Sequence, residues 1–212
     1  MIDWFNLLKH RSYRKVQEVN LLYPNEDYIS SEQNLNKADL HRFSYIFKLH
    51  KHLKGSMLDI GCNDGYFMRH FPWKFHKYTG VDLFSITRYT KGRYWRERKY
   101  YTKNYQIRYK QGYFEDISAS LGQFDFIFAG EIIEHVEDPE LFLKSVKNNL
   151  KSGATWCIST PNAIGGDLPE HNRQFSKKSL NKLLSKYFTK FKIYEIISPG
   201  DSWPFLVATG KG

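Results

Sequence analysis

Ser56-Met57-Leu58-Asp59-Ile60-Gly61-Cys62-Asn63-Asp64-Gly65 is an apolar run that ends on a carboxylate and breaks into a glycine-spaced loop. Such a run reads as a strand that turns into a helix. Glycine permits a positive φ and close backbone approach to a ligand, and asparagine tolerates the left-handed region better than most residues. A second apolar run, Tyr78 to Asp82, ends on another carboxylate, 21 positions beyond Gly61. A βαβ nucleotide site places an acid on ribose hydroxyls at about 20 residues beyond its glycines. The pair of strands therefore predicts an adenosine-containing ligand.

Charge narrows that ligand. A dinucleotide loop seats a pyrophosphate on a helix N-terminus and ends on a small residue. Here Asp59 and Asp64 flank the loop and Tyr66 stands where the last glycine would fall. Both acids would repel a pyrophosphate. S-adenosylmethionine carries an ammonium and a sulfonium instead, and an acidic loop suits it.

The rest of the chain alternates strands with helices. Strands are expected at 57–60, 78–82, 107–114, 124–129, 155–159, 191–197 and 205–208. Helices are expected at 40–53, after the glycine loop until Pro72, at 139–150, and from the cap Ser176. A turn is expected at Lys151-Ser152-Gly153, and another at Pro199-Gly200. Phe124 to Ala129 is continuously apolar, as a parallel strand covered on both faces requires. The pattern predicts an α/β, Rossmann-like, seven-stranded, mostly parallel sheet with helices on both faces. Residues 1–39 read as an N-terminal helical cap with a helix at 2–13 and a loop at 23–25, and 40–212 as the main domain. Cys62 and Cys157 form no metal or redox pattern. No apolar run is long enough to span a membrane, so a cytoplasmic protein without stable membrane insertion is expected.

Just beyond the fourth strand stands Glu131-Ile132-Ile133-Glu134-His135. Open α/β sheets bind ligands beyond the carboxyl ends of their strands, so this segment faces the reaction site. Glu131, Glu134 and His135, with His171 after the fifth strand, could hold a hard divalent metal. Alternatively, Glu131 or Glu134 caps the following helix and His135 packs beneath the cofactor.

Asp59, Gly61 and Gly65 match the first motif of class I S-adenosylmethionine-dependent methyltransferases, with Asn63 replacing its middle glycine. The stretch Glu131 to Pro139 and the later Ser159-Thr160-Pro161-Asn162 resemble strings found widely in that superfamily. They are similar to those of ubiquinone-biosynthesis O-methyltransferases and small-RNA 2′-O-methyltransferases. The resemblance implies a final antiparallel strand pair. It implies cofactor contacts from Asp59, Gly61, Cys62, Asn63, Gly65, Asp82, Leu83, Glu131 and, beside the adenine, Glu115 or Asp116. It also implies Mg²⁺ on Glu131, Glu134, His135 and His171, with the first three of these residues catalytic. A metal there could lower a hydroxyl's pKa and orient a vicinal diol; without metal, His135 is the candidate general base.

Nine of the 23 residues from Arg88 to Lys110 are Lys or Arg against the single acid Glu97, which accounts for most of the formal net charge of +10. Interleaved tyrosines and Trp95 give this segment a composition suited to nucleic acid, or to a solvated sheet edge. The expected function is O-methylation of a small-molecule or saccharide hydroxyl. The alternatives are RNA ribose 2′-O-methylation and a catalytically silent nucleotide- or nucleic-acid-binding module.

Overall fold

The computed structural model describes residues 37–63, 75–83, 106–163, 171–197 and 204–212. The expected N-terminal cap, the helix after the glycine loop, Asp64, Gly65, most of the basic segment and the Pro199-Gly200 turn lie outside the described residues.

Seven strands form one sheet in the order β3-β2-β1-β4-β5-β7-β6. They are β1 (Gly55–Ile60), β2 (Phe75–Asp82), β3 (Gln106–Gln111), β4 (Phe124–Gly130), β5 (Leu150–Pro161), β6 (Phe191–Ile196) and β7 (Phe205–Lys211). The pairs β1–β2, β1–β4, β2–β3 and β4–β5 are parallel. β7 runs antiparallel to both β5 and β6, which gives the expected C-terminal hairpin. The described helices are α1 (Lys37–His50), the single turn α2 (Phe114–Ile117), α3 (Pro139–Asn148) and α4 (Lys177–Leu184).

Side chains alternate across the sheet with period two, so β1, β2, β4, β5 and β7 each contribute to two cores. Met57, Tyr78, Phe126, Phe128, Cys157 and Val207 pack with Ile46 of α1 on one face. Leu58, Ile60, Val81, Ile127, Trp156, Ile158 and Leu206 pack with Phe142 and Val146 of α3 and Leu180 and Leu184 of α4 on the other. The helices start where the local chemistry stops their end amides from being orphaned. Asp138 accepts from Glu140 N and Leu141 N with Pro139 in the first turn, and Ser176 and Ser179 form a reciprocal capping box.

Two expectations are corrected here. The third strand ends at Gln111, and Phe114 turns into α2 with its ring buried against Phe142. Lys151-Ser152-Gly153 is not a free turn but an exposed bulge inside β5, with Gly153 at φ +71°. Register shifts there between Phe124 and Phe126, and these two rings, two residues apart, lie in opposite cores.

Candidate active site

The carboxyl ends of β1, β2, β4 and β5 converge on one rim. Gly61 (φ +71°) and Asn63 (φ +47°) both adopt the left-handed region that the loop reading requires. Gly61 N and Cys62 N donate to Val81 O at 2.8 and 3.1 Å, tying the loop to β2. Asn63 N donates to Asp82 Oδ2 at 2.8 Å, which orients that half-buried carboxylate at the strand end. Gly112 N donates to Asp82 O, and Gln111 Nε2 to Leu83 O, so the start of the next loop is held at the same rim. After it, Glu115 is half-buried and Asp116 exposed. Burial, with Asp116 adding to it, raises the Glu115 carboxyl above its ordinary pKa.

Asp59 sits deeper than the loop reading implies. It is 2% exposed and accepts a 2.5 Å hydrogen bond from the Tyr78 hydroxyl on the α1 face of the sheet. Burial and the neighbouring Asp59 push the Tyr78 phenol well above its usual pKa, so it remains a donor. Cys62 is buried between the same elements: a Cβ on Gly80 would stand 2.6 Å from its Sγ.

The segment after β4 meets the glycine loop directly. A Cβ on Gly61 would lie 2.4 Å from Ile132 Cγ1, so only glycine lets these two loops pack. Glu131 takes φ +55°, a conformation non-glycine residues adopt rarely and mostly where the surroundings enforce it. Three contacts enforce it here. Glu131 N donates to Ser159 O at 3.0 Å, Ser159 Oγ donates to Glu131 Oε1 at 2.6 Å, and Arg42 Nη1 lies 3.5 Å from Oε2. Arg42, on α1, is itself buried, with its guanidinium 4.2 Å from the Phe205 ring centroid.

Glu134, His135 and His171 bring one donor atom each to within 4.8 Å of one another. Glu131 is not in that group; its carboxylate instead meets Ser159 and Arg42. The rings of His135 and His171 meet edge to face at 4.8 Å. Glu134 is 1% exposed; burial first, and then the charge of Glu131, raise its carboxyl well above the ordinary range. The Thr160 hydroxyl lies beside it, yet neither carboxyl oxygen has a hydrogen bond of normal geometry. Neither glutamate caps α3, since Asp138 does so. Two imidazoles and a carboxylate suit divalent transition ions, whereas Mg²⁺ prefers oxygen ligands, so this donor set lends the expected Mg²⁺ no support.

Arg42 and Ser159 were missed as site residues in the sequence. Ser159 stands in the Ser-Thr-Pro-Asn string, which was the available signal; Arg42 carries none, being one of several basic residues in a helix of mixed polar and apolar composition. Of the basic segment, Arg108 and Lys110 are described, exposed on the edge strand β3. No described helix is long and apolar enough to cross a membrane.

Known proteins resemble this chain in sequence and in fold. A ubiquinone biosynthesis O-methyltransferase of Rickettsia akari (strain Hartford) is 24% identical over 203 residues, covering 93% of this chain and 75% of that protein. The N-methyltransferase NodS from Bradyrhizobium japonicum WM9, solved with S-adenosyl-L-homocysteine, superposes with a TM-score of 0.70 at 15% identity, over 88% of this chain and 95% of NodS. The 1,6-didemethyltoxoflavin-N1-methyltransferase of Burkholderia thailandensis gives 0.70 at 18% identity, over 94% of this chain and 88% of that one. These structures share the fold. A family model described as a methyltransferase domain matches residues 28–197, and the chain therefore belongs to that methyltransferase family, with the sheet of the class I S-adenosylmethionine-dependent enzymes.

Proposed function

We propose that this protein transfers a methyl group from S-adenosylmethionine to a hydroxyl oxygen of a small-molecule or saccharide acceptor. The observation that carries the reading is the packing of the glycine loop, through Gly61, on the segment that bears Glu134 and His135. That contact brings the rim where the nucleoside would sit next to Glu134, His135 and His171, side chains able to take a proton or an ion. The similarity to the O-methyltransferase of Rickettsia akari supports oxygen as the acceptor atom.

The described residues fit the cofactor. Asp82 is oriented by Asn63 N and has the charge and position to accept ribose hydroxyls, each such bond contributing roughly 1.5–3 kcal/mol. Gly61 and Asn63 hold the backbone in the left-handed turns that let a ligand approach it closely. S-adenosylmethionine supplies an electrophilic methyl on sulfur. The protein's share is to hold the acceptor oxygen in line, about 3 Å from that methyl, and to take its proton.

Glu134, His135 and His171 would hold a divalent cation, and the buried, unsatisfied oxygens of Glu134 fit one. Such an ion would make a hydroxyl easier to deprotonate near neutral pH. Without it, His135 is our candidate for the base that receives the proton, imidazole as a class being suited to that task near neutral pH.

The test is transfer of labelled methyl from S-adenosylmethionine into a fractionated cell extract, with Mn²⁺, with Mg²⁺ and with chelator. The expected result is label in the small-molecule or glycan fraction that chelator removes. Label in RNA would replace the acceptor class with ribose 2′-hydroxyls. Failure to bind the cofactor or to label any fraction would leave the silent-module reading.

A further inference from the structure

We propose that Arg173, together with Asn172, is a positioning residue that holds His171 against His135 and Glu134. Residues 134–137 follow β4 without a regular ladder of their own, and four successive carbonyls there need donors. Two residues supply them all. Asn172 N and Arg173 N donate to Glu134 O at 2.9 and 3.2 Å. The Asn172 side-chain amide donates to His135 O. The Arg173 guanidinium spans the next two carbonyls, through Nη1 to Val136 O and through Nη2 to Glu137 O at 2.8 Å.

His171 directly precedes this clasp, and Phe175 anchors its far side. Phe175 is 5% exposed, and its carbonyl accepts from Ala163 N at 2.8 Å. The His171 ring is thereby delivered edge-on to His135 at 4.8 Å. The planar guanidinium spans the two neighbouring carbonyls with donors in a fixed fork, a geometry that the compact, freely rotating ammonium of lysine does not hold. The metal role of the three donors rests on the functional reading above; the placement of His171 does not.

The test uses the full chain, with Arg173→Ala, Arg173→Lys and Asn172→Ala beside wild type, each checked for fold by circular dichroism. Two quantities are measured. One is the carbethoxylation rate of His171 in chelator-treated protein, read by mass spectrometry. The other is Co²⁺ affinity from its absorption bands. We expect His171 to react faster in Arg173→Ala and Co²⁺ affinity to fall roughly 10–100-fold, the usual cost of losing an outer-shell support. Arg173→Lys, which preserves charge and stem and serves if the alanine variant does not fold, should fall between the two. A His171 rate equal to wild type in both Arg173 variants overturns the proposal. A faster rate in protein that binds no Co²⁺ even as wild type upholds the clasp and removes the metal from the functional reading.

Discussion

The Tyr78 hydroxyl donates to a carboxylate oxygen of Asp59 at 2.5 Å, joining β1 to β2 just beneath the glycine loop. Both groups are buried, so the bond is formed where water cannot replace it. Tyr78→Phe should therefore destabilise the fold by roughly 1.5–3 kcal/mol, the range for hydrogen bonds to charged groups. Denaturant unfolding checks this, and an unchanged midpoint would mean that Asp59 relies on other donors.

Gly61→Ala combines two penalties. The left-handed φ of +71° costs a β-carbon about 1–2 kcal/mol, and that carbon would meet Ile132 Cγ1 at 2.4 Å. Cofactor affinity and thermal stability should both drop. Adding Ile132→Ala should relieve the collision but leave the backbone cost, so recovery is partial.

Asp82→Ala should abolish measurable binding of S-adenosylhomocysteine by calorimetry. It removes the carboxylate that would take the ribose and also the acceptor of Asn63 N. Asp82→Asn, which preserves an acceptor without the charge, should retain weak binding. Binding equal to wild type in the alanine variant would show that Asp82 is not the ribose acid.

Arg42 and Glu131 form a pair whose side chains are 8% and 24% exposed. Removing one partner of a fully buried pair costs about 3–5 kcal/mol, and the partial exposure of Glu131 places Arg42→Met somewhat below that range. Arg42→Met/Glu131→Gln should cost less than the sum of the single changes. A purely additive pair in urea unfolding would show that the contact carries no coupling.

Asp125 provides the clearest pH dependence. Partial burial raises its pKa, but hydrogen bonds from Lys151 and Ser56 and the Lys151 charge outweigh that and bring it down to about 2. A carboxyl with a lower pKa in the folded state adds stability that is complete above the unfolded value near 4. That stability is lost as pH falls from about 4 to about 2. Asp125→Asn should flatten the acid limb of a stability–pH curve in that window and leave the curve's shape near neutrality unchanged.

The glycine loop and the two acidic strand ends were legible because they are local: their meaning lies in glycine, asparagine and spacing. The sheet was legible because parallel strands covered on both faces read as apolar runs. The end of β3 was not, since Tyr113 and Phe114 suit a strand as well as a helix, and the tertiary contact with Phe142 decides. The Lys151-Ser152-Gly153 bulge looked like a turn because locally it is one; pairing on either side makes it part of β5. The grip of Arg42 on Glu131 spans 89 positions and follows no period, so no pattern could announce it.

The strand order has a consequence for how the chain assembles as it is made. β6 is synthesised before β7 yet lies outside it, so its described sheet pairing waits for β7 to emerge and insert beside β5. Phe205, at the start of β7, is also the ring beneath the Arg42 guanidinium. The parallel pairs β1–β2, β1–β4, β2–β3 and β4–β5 need nothing of β7, whereas the Phe205 ring contact of the Arg42 guanidinium forms only with it. Strand order thus ties part of the support of Arg42 to a strand made after the parallel half of the sheet.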